Sequence, residues 1–98
     1  MDPIERLEGV RATLRRLLQA ERDATGRESA WVQWGDIEGE DWAKELTQDQ
    51  ALELVYLELE ENPDWYIVGR PVLIRNETLF QGASFTDEAG HRRVYLEE

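Results

Sequence analysis

The stretch DIEGEDW, residues 36–42, gathers four carboxylates within six residues and closes them with an indole. Clustered carboxylates suit binding of a hard cation, general acid–base catalysis or pairing with a basic surface. A calcium loop of the EF-hand type needs glycine at its sixth position and glutamate at its twelfth. Counted from Asp36, those positions hold Asp41 and Thr47, so the spacing predicts no specific metal site.

Residue types that carry catalysis are few and isolated. His91 is the only histidine and lies beside two arginines in a predicted turn, where a surface position is expected. Ser29 and Ser84 have no histidine or lysine at a spacing typical of nucleophilic catalysis. Gly35 and Gly39 are isolated and form no phosphate-binding loop. We therefore expect no enzyme activity, no metal and no cofactor.

The charge of the chain is concentrated in one block. The net charge is −11, and residues 36–64 carry eleven acids against the single base Lys44. Residues 1–35 are neutral, whereas residues 65–98 carry a net charge of −1. This field argues against direct contact with nucleic acid or an anionic membrane. Salt adaptation accounts for the acidity less well, because it would spread the charge over the whole surface.

Length and composition indicate one globular domain, residues 1–98. No apolar run approaches the roughly 18 residues of a membrane span, and the first residues lack a signal-peptide pattern. Without cysteine, a disulfide framework and a thiolate metal site are both excluded. The expected location is the cytoplasm.

Two long helices are predicted from caps and periodicity. Asp2 and Pro3 form a helix start, and apolar residues at 3.6-residue spacing follow, so a helix is expected over about residues 3–24. Thr47 and Gln50 match a capping box, which predicts a second helix over about residues 48–61. Its apolar side comprises Ala51, Leu52, Val55 and Leu59. Leu54 and Leu57 lie off that side, so this helix is either buried on two sides or touches a partner.

The remaining segments have strand character. Residues 29–35 predict a short strand, and residues 40–46 a short helix. Four further strands are expected in residues 65–69, 71–76, 78–85 and 92–97, with turns at Arg70-Pro71 and Asn76-Glu77 and a hairpin loop near 87–91. The predicted fold is therefore α+β, with two main helices packed on an antiparallel sheet of about four to five strands formed mostly by residues 65–96.

The acidic block predicts a non-enzymatic binding protein that docks residues 36–64 onto a basic surface of a partner protein. Surfaces that bind nucleic acid are of this kind, so an inhibitor or antagonist whose carboxylates occupy phosphate positions is the leading hypothesis. By class analogy, phage antagonists of host defence, immunity proteins and antitoxins work in this way. The expected contact residues are Asp36, Glu38, Glu40, Asp41, Trp42, Asp49, Glu53, Tyr56 and Glu60.

Three alternatives are compatible with the same residues. A charge run is usually a solvated face without a partner. The two-sided second helix also suits a homodimer with a structural or assembly role, and a ligand pocket beside Trp31 or Trp34 is the third alternative. At least two of the four tryptophans are expected in the core, with Trp42 the best candidate for exposure because acids surround it.

Overall fold

A computed structural model of the chain describes residues 2–68, 72–74 and 79–96. The predicted turns at Arg70-Pro71 and Asn76-Glu77 lie outside these residues. The described part of the chain is an α+β fold. Its elements are α1 (Pro3–Thr25), β1 (Ala30–Gln33), α2 (Trp34–Ile37), a 3₁₀ helix (Asp41–Ala43), α3 (Gln48–Glu61), β2 (Trp65–Ile67), β3 (Val72–Ile74), β4 (Leu79–Asp87) and α4 (Glu88–Leu96).

The first helix, α1, has the ends that its sequence predicts. Asp2 accepts a hydrogen bond from the Ile4 amide at 2.8 Å, and Pro3 occupies the first turn, where a missing N–H costs nothing. Gly26 ends the helix in the left-handed conformation, with φ 76°. Val10, Leu14 and Leu18 are buried along one face. The helix thus matches the prediction to within a residue.

The second long helix, α3, also begins and ends at its local signals. Thr47 Oγ1 accepts from the Gln50 amide, and the Gln50 side chain accepts from the Thr47 amide. Such a reciprocal cap satisfies two donors that the helix itself leaves unpaired. The apolar side expected from the sequence, Ala51, Leu52, Val55 and Leu59, is fully or almost fully buried.

The sheet is built around β4. β1 pairs antiparallel with one edge of β4, with Ala30 opposite Phe85. The other edge carries β2 and β3 in succession, with Ile67 opposite Phe85 and Val72 opposite Gly82. The described sheet therefore has four strands but is three strands wide. Its antiparallel character matches the prediction, whereas one edge comes from residues 30–33, outside the segment expected to form most of it.

The core lies between this sheet and the two long helices. Val32 of β1 and Ala83 and Phe85 of β4 are fully buried on the side facing α1 and α3. Trp65 of β2 meets Phe85 edge to face, with ring centroids 5.8 Å apart. Such aromatic pairs add to the free energy gained by burial of their area.

The last element, α4, is a helix where the sequence predicted a β-hairpin. Residues 88–96 form a helix, so the expected strand at 92–97 and the hairpin loop near 87–91 are wrong. Asp87 Oδ1 accepts from the Gly90 amide at 3.1 Å, as an N-cap does, and Arg92 pairs with Glu88 one turn earlier at 3.1 Å. The helix packs against the outer face of the sheet, where His91 stacks on Tyr66 with ring centroids 3.8 Å apart.

An ion-pair cluster joins α4 and the sheet to α1. Arg22 Nη2 lies 2.7 Å from Asp87 Oδ1, and Arg22 Nε lies 3.1 Å from Glu28 Oε2. Arg93 of α4 approaches the other oxygen of Glu28 at 3.5 Å. Burial raises the pKa of Asp87, but the hydrogen bonds from Arg22 and the Gly90 amide and the charge of Arg22 outweigh it and hold that pKa below its usual value.

The docking of α4 can be tested at Gly90. A Cβ at this position would overlap Thr86 Oγ1 and lie 2.6 Å from the Glu28 carbonyl oxygen, which belongs to the backbone and cannot easily move. We expect Gly90→Ala to lower the free energy of unfolding by about 1–3 kcal/mol in urea denaturation. Gly35→Ala is the control: no atom lies within 4 Å of the added Cβ in α2, so little change or a gain of up to about 1 kcal/mol is expected. Equal effects at both positions would contradict the packing described.

The Arg22–Asp87 pair predicts a pH dependence. Because the pKa of Asp87 is lower in the folded chain than in the unfolded chain, the pair stabilises the fold fully above the unfolded value of about 3.9. This stabilisation is lost as the pH falls through the lower, folded value. Asp87→Asn keeps an N-cap acceptor but loses the charge, so its unfolding free energy should be smaller at pH 7 and should decline less steeply in acid. Parallel pH profiles, measured by urea denaturation, would contradict this assignment.

Candidate partner-binding surface

Most acids of the acidic block make no ion pair with the residues that the structure describes. Of its eleven acids, the described residues pair three: Glu40 with Arg16, Asp41 with Lys44, and Glu58 with Arg11. Among the described residues, arginines therefore do not neutralise the block one for one. The acids without an ion pair to described residues are Asp36, which is half-buried, and the exposed Glu38, Glu45, Asp49, Glu53, Glu60, Glu61 and Asp64.

Three of these exposed acids share one side of α3. At about 100° per residue, Asp49, Glu53 and Glu60 fall within about 40° around the helix axis. We call these three residues the acidic arc. Tyr56 adjoins it and is half-buried, whereas the buried residues of α3 fall between about 180° and 300° from Asp49. The narrow grouping predicted for these carboxylates thus points to solvent.

Glu58 belongs to the same helix but has a different environment. Its side chain is buried, with 4% of its surface exposed. Oε2 accepts from Arg11 Nε at 3.0 Å, Asn62 Nδ2 at 2.7 Å and Trp65 Nε1 at 3.0 Å. The hydrogen bond and the charge of Glu58 raise the pKa of Arg11 against a smaller opposing effect of burial. This carboxylate serves the fold rather than a partner.

The segment DIEGEDW is anchored on α1 at its end. Trp42 is buried, with 3% exposed, so the expectation that it would be the exposed tryptophan is wrong. Trp42 Nε1 donates to Thr13 Oγ1 at 3.0 Å, and Thr13 Oγ1 donates to Glu40 Oε1 at 2.8 Å. Arg16 Nη2 reaches the same Glu40 oxygen at 3.0 Å. Glu40 and Trp42 therefore hold the 3₁₀ helix against α1.

Two small residues of α1 make room for this indole. A Cβ at Gly9 would come within 2.7 Å of Trp42 Cδ1. Gly9 and Thr13 are four residues apart, so they share one helix face. That spacing of small residues inside an otherwise strong helix is the sequence signal for a bulky side chain packed there. The acidic residues next to Trp42 in sequence predicted that the indole would be exposed. The packing partners that bury it lie in α1.

The other acids of the segment are divided between a cap and the surface. Asp36 Oδ2 accepts from the Gln33 amide at 3.0 Å and so closes the first turn of α2. Asp41 is exposed and pairs with Lys44 at 3.1 Å, a surface contact that contributes little. Glu38 is exposed without an ion pair in the described chain. Of the nine predicted contact residues, Asp49, Glu53 and Glu60 lie on one side of α3 beside Tyr56. Glu40 and Trp42 make contacts with α1 within the fold.

A groove between α1 and the end of α3 borders this surface. It has a volume of about 690 Å³, and Leu7, Leu54, Leu57 and Pro63 are apolar residues in its wall. We call it the α1–α3 groove. Leu57 is 40% exposed, and Leu54 is half-buried. These are the two leucines that the sequence placed off the buried side of the helix.

The tryptophans considered for a ligand pocket lie elsewhere. Trp34 is half-buried and packs against the core. Trp31 is 40% exposed on the outer face of β1, where it lies against Gly82. A cavity of about 490 Å³ is found instead between α1 and the start of α4, with Arg15 stacked over Trp65 at 5.7 Å from the ring centroid.

The described residues contain neither a metal-ligand cluster nor a membrane-spanning helix. No group of three or more histidine, aspartate or glutamate side chains among them is arranged to hold a metal ion. His91 is exposed, as expected, but lies in α4 rather than in a turn. Within the same residues, every helix is too short or too polar to cross a bilayer.

Glu58 and Glu60 provide a matched test of these two environments. Glu58→Ala leaves the buried indole N–H of Trp65 without an acceptor and Arg11 without its partner, so a loss of about 1–3 kcal/mol in unfolding free energy is expected. Glu60→Ala changes an exposed side chain, and its effect should stay within about 0.5 kcal/mol. Urea denaturation measures both. A large loss at Glu60, or none at Glu58, would show that the roles are assigned wrongly.

Comparison with protein-family models, with curated proteins and with solved structures found no match for this chain. What the protein does is therefore inferred from the charges, burial and contacts of its own residues.

Proposed function

We propose that this protein is a non-enzymatic inhibitor that docks its acidic surface onto a basic surface of a partner protein. The partner's surface is one that otherwise binds nucleic acid, and the carboxylates take the places of phosphates. Contact begins at the acidic arc, Asp49, Glu53 and Glu60, with Tyr56 beside it. Phage antagonists of host defence, immunity proteins and antitoxins are class analogies for such a role.

The observation that carries this proposal is that the acidic arc is exposed and makes no ion pair with the described residues. Asp49 and Glu53 are like charges at helical i,i+4 spacing, which destabilises a helix by a few tenths of a kcal/mol. No cation among the described residues pairs with them. A basic partner would remove this repulsion on binding, whereas solvent only screens it.

The charge of the block also favours rapid association. Asp49 and Glu53 lie about 6 Å apart along the helix axis, within the Debye length of about 8 Å at physiological salt, so their charges act together on an approaching partner. Electrostatic steering of this kind raises association rates by about 10–10³-fold. Tyrosine and leucine beside the arc, Tyr56 and Leu57, add contact area that carboxylates alone do not supply. Tyrosine is among the residues enriched at binding hot spots.

A homodimer with a structural role is the second candidate, and the exposed Leu57 is the observation that favours it. Association through α3 would bring two acidic arcs close together. Because like charges brought together at an interface are unfavourable, we rank this candidate below docking on a basic partner. Sedimentation of the purified chain at several concentrations distinguishes the two.

The experiment compares capture by the wild-type chain and by the double variant Asp49→Arg/Glu53→Arg. Each immobilised chain is offered the lysate of the cells that make it, at about 0.05 M and about 0.5 M salt, and captured proteins are identified by mass spectrometry. The double variant and the higher salt should both abolish capture of the same nucleic-acid-binding protein. The recovered partner, once purified, should bind the wild-type chain faster than the variant.

Asp23→Arg/Glu5→Arg is the control, because it makes the same change in net charge at exposed positions of α1. This control should still capture the partner. Added nucleic acid should compete with the wild-type chain for it. Capture that survives both salt and the Asp49→Arg/Glu53→Arg variant would contradict the proposal.

A further inference from the structure

The α1–α3 groove is apolar at its base and acidic at its rim. Leu7, Leu54, Leu57 and Pro63 supply the apolar surface, and Glu61 and Asp64 stand at the edge. Both acids are exposed, and neither makes an ion pair with a described residue. An open groove of this composition differs from the solvated acidic face expected of a charge run alone.

Leu57 is an exposed apolar side chain on a surface that is otherwise mostly charged. It is one of the few large hydrophobic side chains exposed among the described residues, and it lies directly beside carboxylates. Leu57 leaves 40% of its surface exposed, so a partner that covers it gains apolar contact there. Leu54 is already half-buried and forms a preformed base for such a contact.

The rim stays negative although Arg11 lies in the wall. The Arg11 guanidinium is held by Glu58 at 3.0 Å, so its charge is already balanced within the fold. Asp64 and Glu8 lie near enough to raise the pKa of Arg11 further, which shows that additional acids surround this pair. The groove therefore presents more negative than positive charge to an occupant.

The groove and the acidic arc are neighbours on the same helix. At about 100° per residue, Leu57 lies about 80° from Asp49 around α3, and Glu61 and Leu54 follow at about 120° and 140°. A ligand that crosses this side of α3 would meet the acidic arc first, then Leu57, then Glu61 with Leu54 next to it. This arrangement complements a ligand in which apolar and basic side chains adjoin each other.

We propose that the α1–α3 groove receives a basic amphipathic helix of the partner protein. A large apolar side chain of that helix enters between Leu7, Leu54 and Leu57, and its lysines or arginines pair with Glu61, Asp64 and the acidic arc. Helix-in-groove recognition places apolar anchors at i, i+3, i+4 and i+7. This inference rests on the proposed function and names the element of the partner that is bound.

A second copy of this chain is a poorer occupant. The chain carries a net charge of −11, and the rim and arc would meet a surface of the same sign. A basic helix instead gains both from the apolar contact and from the unpaired acids. Charge complementarity therefore favours a basic helix over a second copy of this chain as the occupant of the groove.

The test uses a fluorescently labelled synthetic helix as the probe. A peptide of about 14 residues, with leucines at i, i+3, i+4 and i+7 and lysines elsewhere, should bind the full chain, and binding is followed by fluorescence anisotropy. A peptide of the same composition, scrambled so that the leucines do not share one face, should bind at least about 10-fold more weakly, the loss expected when one buried leucine is removed.

Variants of the chain locate the binding surface. Leu57→Ser should weaken binding of the amphipathic peptide by about 10-fold while leaving the weaker, salt-sensitive binding of the scrambled peptide unchanged. Tyr95→Ser is the matched control, since it removes an exposed hydrophobic side chain from α4, and it should have no effect. Asp49→Arg/Glu53→Arg should weaken binding of both peptides. Denaturation curves of each variant verify that the fold is retained.

The possible outcomes distinguish the groove proposal from the proposal of an acidic docking surface. If Asp49→Arg/Glu53→Arg weakens binding but Leu57→Ser does not, the groove proposal is overturned and the acidic docking surface stands. If neither peptide binds, both proposals are overturned. If the chain sediments as a dimer that Leu57→Ser dissociates, a second copy occupies the groove, and the basic-helix proposal is overturned.

Discussion

A single buried carboxylate joins the main elements of this fold. Glu58 of α3 receives donors from α1, from the residue that ends α3 and from β2, all at one oxygen, with distances of 2.7–3.0 Å. An ionised carboxylate is costly to bury unless donors replace the water that it loses. Arg11, Asn62 and Trp65 supply those donors, so the relative placement of the two long helices and the sheet is linked to the satisfaction of this one group.

This constraint divides the acidic block into structural and free members. Glu58 and Glu40 are tied to arginines and side-chain donors, and Asp36 is used as a cap. The acids that remain exposed have no such role in the described chain. The exposed acids of α3 make no ion pair with the described residues, and Asp49 and Glu53 repel each other, although Asp49 also lies in the first turn, where a negative charge favours the helix. We propose that a basic partner binds these exposed acids and that the groove beside them supplies apolar contact.

Local signals predict the parts of the fold whose energetics are local. The caps at Asp2 and Thr47 and the periodic apolar residues give both long helices because the relevant hydrogen bonds and spacings lie within a few residues. The acidic arc follows for the same reason, since the positions 49, 53 and 60 share a helix side by geometry alone. The strand expected at residues 92–97 is wrong. The aromatic and β-branched residues of that segment favour a strand locally. The cap at Asp87 and the packing of Gly90 against Thr86 stabilise a helix instead.

The amount of charge, its concentration in residues 36–64 and the helix that exposes part of it all follow from the order of the amino acids. Which carboxylates are free depends on the packing of the folded chain. Glu58 and Glu60 are identical residues two positions apart, yet one is buried and the other exposed. The donors that make the buried position tolerable include Arg11, 47 residues away in sequence, and Trp42 is likewise buried by Gly9 and Thr13 of a distant helix. A polar group can be buried only where folding brings hydrogen-bond partners to it. Because those partners are distant in sequence, a local sequence pattern does not predict them.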